Sequence, residues 1–192
     1  MSTPSGVKLG AAILVGGASS RMGADKAQLD WGGRRAVDWL ADLAAEAGAD
    51  PIVTVGGGDY GLLQVADSEP AGGPVAGLVA AIAALRSAGC QRMLALAVDA
   101  PTARRADLEP LLTAPPPGAA FEGLHLPLVL DLAAAPDGAG GGWPIARFVE
   151  RAGLARLPCA PEAHERLRGA NTPQERARLL AAAHLAEKGG AG

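Results

Sequence analysis

Apolar residues occur in short, nearly continuous runs that glycine, proline and polar residues separate. The runs at Val7–Val15, Pro51–Val55 and Met93–Val98 do not alternate with polar residues, which is typical of parallel strands buried on both faces. Between them, Arg35–Ala47 carries apolar residues at helical spacing, and Pro74–Ala88 begins with proline and stops before a glycine. Strands that alternate with helices in this way predict an α/β fold.

The remainder of the chain continues the alternation with shorter elements. Pro115–Gly118 interrupts it and predicts a surface loop. The other expected elements are a short strand at Leu62–Val65, a short helix at Asp107–Leu112, an apolar segment at Leu126–Leu132, a helix at Ile145–Ala152, a strand at Leu154–Leu157 and a terminal helix at Pro173–Lys188. We therefore predict a single domain over residues 7–188, with a mostly parallel sheet flanked by helices.

Composition and charge exclude several classes of protein. The chain has 192 residues, of which 49% are hydrophobic and only 3% aromatic, so Ala, Val, Leu and Ile must form the core. Its net charge of −3 argues against non-specific electrostatic binding to a nucleic-acid backbone. Two cysteines, Cys90 and Cys159, make neither a disulfide framework nor a zinc motif. We read no signal peptide and no membrane span, and we expect a cytoplasmic protein.

A glycine-rich segment follows the first strand, where ligands of parallel α/β sheets bind. Its small residues, beginning with Gly16, let backbone N–H groups approach an anion closely. Arg21 adds a guanidinium that grips two phosphate oxygens, and Lys26 adds a point charge. The spacing matches neither the Walker A loop nor the Rossmann fingerprint. The alternative is a surface turn with two solvated cations.

Two aspartates are candidate ligands for a metal ion that accompanies a nucleotide. Asp99 directly follows a buried strand and would face the same crevice as the glycine-rich segment. A lone carboxylate beside a triphosphate suits Mg²⁺, which takes few protein oxygens and keeps its waters. Asp67 follows a shorter strand. The alternative roles are a helix N-cap for Asp99 and a turn residue for Asp67.

The glycine-rich segment resembles the signature L-x-G-G-x-S-x-R-M-G-x-D-K of the molybdenum cofactor guanylyltransferases, the MobA-like NTP transferases. The matching positions are Gly16, Gly17, Ser19, Arg21, Met22, Gly23, Asp25 and Lys26. Weaker similarities follow in the order of the family: Asp67 with Gly73–Gly77, Val98–Pro101, His125–Leu128 and Asn171–Glu175. The resemblance thus extends over nearly the whole chain.

This resemblance implies a Rossmann-like fold of the glycosyltransferase-A type and a Mg²⁺-dependent nucleotidyltransferase. The family transfers GMP from GTP to the phosphate of molybdopterin, releases pyrophosphate, and serves the maturation of molybdoenzymes. The implied nucleotide-binding residues are Leu14, Gly16, Gly17, Ser19, Arg21, Lys26, Asp67 and Asp99. Arg21, Lys26 and Asp99 would act in catalysis, Asp99 would hold the metal, and His125 and Asn171 would contact the acceptor. A structural role for His125 is the alternative.

Three positions depart from the family pattern. Gly56–Asp59 replaces an Asn-Arg pair that relatives using GTP carry after the second strand, and Gly169 replaces the first Asn of N-x-N-T-P. Trp143 and Pro144 occupy a place where relatives have Arg or Lys. These differences leave two other functions open. One is a cytidylyltransferase, or another NTP transferase with a different acceptor. The other is a nucleotide-binding partner protein without catalysis.

Overall fold

A computed structural model describes residues 6–16, 25–66, 69, 72–170 and 172–189, with side chains to residue 182. Within these ranges seven strands form one sheet in the order β3-β2-β1-β4-β6-β5-β7. The strands are β1 (Leu9–Leu14), β2 (Ile52–Val55), β3 (Leu63–Val65), β4 (Arg92–Ala97), β5 (Gly118–Phe121), β6 (Leu128–Asp131) and β7 (Ala155–Leu157). Strands β3, β2, β1 and β4 are mutually parallel, and β6 runs antiparallel to β4 and β5.

Six α-helices connect or follow the strands in the described part of the chain. They are α1 (Ala36–Glu46), α2 (Gly73–Ser87), α3 (Arg105–Leu112), α4 (Ile145–Arg151), α5 (Pro161–Arg168) and α6 (Pro173–Gly189). A short 3₁₀ helix, Lys26–Gln28, follows β1, and another, Leu132–Ala134, follows β6. Proline in the first turn of α2 needs no helical N–H partner, and Gly89 follows its end.

The sheet separates two apolar layers. Alternate residues of β1 enter opposite layers: Ile13 packs with α1, α3 and α5, whereas Leu14 packs with α2 and α4. All six residues of β1 are buried, as the uninterrupted apolar run predicts. The helices on both faces therefore leave the ends of the strands as the places where polar groups reach solvent.

The predicted fold class is confirmed, with two elements missing from the prediction. Strand β5 lies directly after the proline-rich loop, and its sequence Gly-Ala-Ala-Phe has no period that marks a strand. Helix α5 is mostly polar and buries only Ala163 and Leu167, one turn apart. No helix within the described ranges is long and apolar enough to span a membrane.

Candidate active site

The carboxyl ends of β1, β2 and β4 meet at one edge of the sheet. The backbone N–H groups of Val15 and Gly16 both donate to the Val55 carbonyl, at 3.1 and 3.2 Å. On the other side, Val98 N–H donates to the Leu14 carbonyl at 3.3 Å. The backbone after β1 is thus held between its two neighbours. Residues that follow these three strands share one crevice, as parallel α/β sheets require.

Lys26 begins the short 3₁₀ helix that follows β1, and Asp25 caps this helix. The Asp25 Oδ1 atom accepts a hydrogen bond from Ala27 N–H at 3.0 Å, which satisfies a donor that the helix leaves free. Gln28 Nε2 donates to the other carboxylate oxygen, Oδ2, at 3.0 Å. The capped turn fixes the direction in which the Lys26 side chain leaves the backbone.

Lys26 and Asp99 form an ion pair across the crevice. Lys26 Nζ lies 2.9 Å from Asp99 Oδ1, and the two side chains are 27% and 32% exposed. The Oδ1 atom itself is shielded from solvent and accepts no well-aligned hydrogen bond from the described residues. The contact is therefore electrostatic, and the exposed part of the Asp99 side chain lies away from Oδ1. Asp99 caps no helix, because the next helix begins at Arg105 with Asp107 bonding the N–H of its N-cap residue.

A loop from the C-terminal part of the chain fixes the backbone of Asp99. Ala170 N–H donates to the Asp99 carbonyl at 3.0 Å. Gly169 has φ +73°, and a Cβ at this position would collide with the Asp99 carbonyl. A side chain at residue 169 would push the loop away from β4, so this position requires glycine.

Tyr60 is a residue of this edge that the sequence analysis did not identify. It ends the glycine-rich loop after β2, and only 4% of its surface is exposed. Its hydroxyl donates to Asp25 Oδ2 at 2.8 Å and accepts from Gly58 N–H at 3.1 Å. Burial raises the pKa of the Tyr60 phenol, so the hydroxyl remains a donor at neutral pH. A single tyrosine within a run of glycines is the signal that sequence reasoning overlooked.

Arg35 ties the same loop to helix α1. Its guanidinium donates to the Tyr60 carbonyl at 3.1 Å and to both carboxylate oxygens of Asp38, at 2.8 and 2.7 Å. The Arg35 hydrogen bond holds the pKa of the Asp38 carboxyl below its usual value. Tyr60 is therefore anchored through its backbone carbonyl as well as through its hydroxyl.

The structure brings together two of the residues that the sequence assigned to catalysis, Lys26 and Asp99. His125 is exposed in the loop before β6. Leu128 pairs with Ala95 in antiparallel register, so the chain before it, including His125, lies toward the carboxyl end of β4. His125 thus lies at the same end of the sheet as Asp99. The remaining predicted site residues, Gly17, Ser19, Arg21, Asp67 and Asn171, lie outside the described residues.

Asp99 suits a metal ion that arrives with a nucleotide. No group of three or more His, Cys, Asp or Glu side chains that could hold a metal by itself occurs in the described ranges. Mg²⁺ needs only one or two protein carboxylates, because phosphates and waters complete its shell. The partly exposed Asp99 carboxylate, whose Oδ1 has no aligned hydrogen-bond donor, meets that requirement.

Comparison with protein families identifies the chain. The model of the MobA-like NTP transferase domain matches residues 11–170, which include β1, Lys26, Asp99 and the loop at Ala170. The protein belongs to this family. The match ends at the residue whose N–H bonds the Asp99 carbonyl, so it covers the whole crevice.

Curated relatives of the chain are molybdenum cofactor guanylyltransferases. The protein from Xanthomonas euvesicatoria is 39% identical over 122 residues, which cover 62% of each chain. The protein from Acidiphilium cryptum is 37% identical over 144 residues, or 70% of this chain and 73% of the relative. The chain spans about half to three quarters of the length of the curated relatives it matches.

Solved structures with little sequence identity share the fold. The molybdopterin-guanine dinucleotide biosynthesis protein A of Archaeoglobus fulgidus matches with a TM-score of 0.64 at 19% identity, over 91% of this chain and 98% of that one. The 2-C-methyl-D-erythritol 4-phosphate cytidylyltransferase of Thermus thermophilus matches with a TM-score of 0.61 at 16% identity, over 93% and 100%. The chain thus shares its fold with both of these proteins.

Proposed function

We propose that the protein is a molybdenum cofactor guanylyltransferase, which transfers GMP from GTP to the phosphate of molybdopterin and releases pyrophosphate. The observation that carries this proposal is the Lys26–Asp99 pair at the carboxyl ends of the strands of a MobA-like domain. The curated relatives, which bear this activity in their names, support the choice of base and acceptor.

The reaction needs charge neutralisation and alignment more than a protein nucleophile. A phosphate oxygen of the acceptor attacks the α-phosphorus of GTP and forms the new P–O bond. The bond between the α-phosphorus and the bridging oxygen breaks in line, and the electron pair leaves with pyrophosphate. Lys26 stabilises the charge that grows on this leaving group, because its ammonium is already fixed in the crevice. The resemblance assigns the same role to Arg21.

Asp99 would hold Mg²⁺ in this reaction. Bound Mg²⁺ neutralises phosphate charge and keeps the oxygens of the triphosphate in place. In the absence of nucleotide, Lys26 compensates the Asp99 charge at 2.9 Å. When a triphosphate enters, its oxygens would accept from the remaining donors of the Lys26 ammonium, which stays beside Asp99. The exposed part of the Asp99 carboxylate would act as the metal ligand.

Pyrophosphate release tests the proposal directly. The purified protein is incubated with Mg²⁺ and GTP, CTP or ATP, with and without molybdopterin. We expect release that requires both GTP and molybdopterin, and loss of release when EDTA removes the metal. Faster release with CTP than with GTP would replace the guanylyltransferase with a cytidylyltransferase. Tight nucleotide binding without release under any condition would identify a non-catalytic nucleotide-binding protein.

A further inference from the structure

The loop after β2 reaches the site through one side chain, Tyr60. The glycines that precede it carry no side chain that could reach the crevice. Tyr60 instead points its hydroxyl at Asp25, the residue that caps the turn of Lys26. The loop therefore affects the site indirectly, through Asp25, the residue that precedes Lys26.

We propose that Tyr60 is a positioning residue, which holds the Asp25–Lys26 turn so that the Lys26 ammonium is fixed beside Asp99. This inference rests on the proposed function only for its effect on turnover. The positioning itself is a property of the protein without ligands. We name the chain of contacts from Tyr60 through Asp25 to Lys26 the tyrosine tie.

Hydrogen bonds hold both side chains of the tyrosine tie. The Tyr60 hydroxyl donates to Asp25 Oδ2 at 2.8 Å and accepts from Gly58 N–H at 3.1 Å. Asp25 uses its other oxygen to cap Ala27 at 3.0 Å. Because the carboxylate is bonded on both oxygens, it cannot rotate without breaking the cap.

The loop backbone is shaped around the hydroxyl. Gly57 has φ +69°, and a Cβ at this position would collide with the Tyr60 hydroxyl oxygen. The Tyr60 ring is buried in the apolar layer that also contains Ala27 and Val15, so the hydroxyl is presented by a rigid group. Arg35 bonds the Tyr60 carbonyl and prevents the backbone from withdrawing.

A lysine that is free to leave Asp99 has to be reordered in each catalytic cycle, whereas a fixed lysine does not. A hydrogen bond to a charged group contributes enough free energy that its loss corresponds to about a 10-fold change in an equilibrium. We therefore expect Tyr60→Phe to lower kcat about 10-fold with little change in the KM for GTP, since the effect is on the geometry of the transition state.

The experiment measures the position of Lys26 without relying on activity. The sequence has three lysines, so acetylation by an N-hydroxysuccinimide ester is followed at each by mass spectrometry. Lys8, whose Nζ donates to the Ala88 carbonyl at 3.0 Å, is the internal reference. We expect Tyr60→Phe to raise the acetylation rate of Lys26 about threefold or more, relative to Lys8, because the loss of one charge-assisted hydrogen bond frees the turn.

Trp39→Phe is the matched control. Trp39 Nε1 donates to the Trp31 carbonyl at 3.0 Å and packs on the same layer, but it makes no bond to Asp25 or Lys26. This variant should leave the reactivity of Lys26 unchanged. Should Tyr60→Phe not fold, Asp25→Asn replaces it in the experiment, because the amide keeps the capping oxygen and loses the carboxylate that Tyr60 bonds.

Two results would overturn the tyrosine tie. One is an unchanged acetylation rate of Lys26 in a folded Tyr60→Phe protein. The other is an equal loss of kcat from Tyr60→Phe in the wild-type and Lys26→Ala backgrounds, since a tie that acts through Lys26 has no further effect once the lysine is gone. Absence of pyrophosphate release from the wild-type protein would contradict the proposed function but leave the acetylation result interpretable.

Discussion

The two ends of β1 and β4 each carry an ion pair, and the pairs differ in construction. At the carboxyl ends, Lys26 and Asp99 are about one third exposed, and neither donates or accepts another side-chain hydrogen bond among the described residues. At the amino ends, Arg92 Nε lies 2.7 Å from Asp131 Oδ1, with the side chains only 11% and 22% exposed. Arg92 also donates to the Leu112 and Ala114 carbonyls, at 3.1 and 2.9 Å.

We expect this difference to distinguish a functional pair, Lys26 and Asp99, from a structural one. Arg92 joins β4, β6 and the end of α3: Nη1 and Nη2 each donate to one of the two carbonyls, and Nε lies beside Asp131 Oδ1 without a well-aligned hydrogen bond. Lys26 keeps donors for a ligand. A cavity of about 460 Å³ opens beside Arg92 and Asp131, but it lies at the end of the sheet opposite the family signature. In this protein, the unused hydrogen-bond donors of an ion pair therefore indicate the predicted site better than the size of a cavity does.

Asp99→Asn should have the largest effect on activity. The amide keeps the size of the side chain and loses the charge that would hold Mg²⁺ in the proposed reaction, so pyrophosphate release should fall on the order of 10³-fold, several kcal/mol of transition-state stabilisation. Steady-state rates over a Mg²⁺ titration check this. Asp42→Asn, at an exposed ion pair with Arg34, is the control and should retain the wild-type rate. Full activity of Asp99→Asn at ordinary Mg²⁺ concentration would remove the metal role.

Arg92→Met should unfold more easily and keep its chemistry. It leaves the Asp131 carboxylate unpaired in a mostly buried place, which costs about 3 kcal/mol of unfolding free energy. Urea denaturation measures this loss, and the folded fraction should turn over GTP at the normal rate. Arg34→Met breaks an exposed pair and should change stability by no more than about 0.5 kcal/mol. Equal losses in the two variants would contradict the structural role of Arg92.

Lys26→Ala should show the opposite behaviour. Loss of the ammonium that stabilises the leaving group should lower turnover on the order of 10²-fold. Stability should change by less than about 1 kcal/mol, because the pair is partly exposed. Lys8→Ala, a matched change just before the other end of β1, should alter neither rate nor stability. Near-normal turnover of folded Lys26→Ala would exclude the lysine from the mechanism.

The smallest expected effect concerns the ion pair of Arg35 and Asp38, in which Arg35 also bonds the loop after β2. Arg35 lowers the pKa of Asp38, so this carboxylate stabilises the protein at neutral pH and the contribution disappears as pH falls through the lowered pKa. Asp38→Asn should lower the Tm slightly at pH about 7 and by less at pH about 3. Thermal unfolding across this pH range checks the sign. A difference that grew with acidification would contradict the assignment.

The strands and two of the predicted site residues could be recognised from the sequence, but the contacts between those residues could not. Buried parallel strands are legible because they are apolar without interruption, and Lys26 and Asp99 each follow such a strand. Their pairing depends on the register of β1 with β4, which no local pattern encodes. Strand β5 was missed because small residues after prolines favour no element.

The roles of Tyr60 and Gly169 could be recognised only from the folded structure. Both act through groups that are distant in the sequence: Tyr60 bonds Asp25, and Gly169 lies against the Asp99 carbonyl. A Cβ at Gly57 would collide with the Tyr60 hydroxyl and one at Gly169 with the Asp99 carbonyl, so glycine at these positions allows each loop to approach the predicted site. Motifs thus locate the chemistry, whereas the residues that hold it in position depend on tertiary structure.

The bond from Ala170 to Asp99 has a consequence for synthesis of the protein. A chain emerging from the ribosome can assemble β1, β2 and β4 as soon as residue 97 is available, since domains begin folding from the N-terminus. The carbonyl of Asp99 acquires its partner only when residue 170 follows. The part of the sheet formed by β1, β2 and β4 can therefore form before the backbone of Asp99 is held in place. A chain that ends between these positions would lack the N–H group that holds the Asp99 carbonyl.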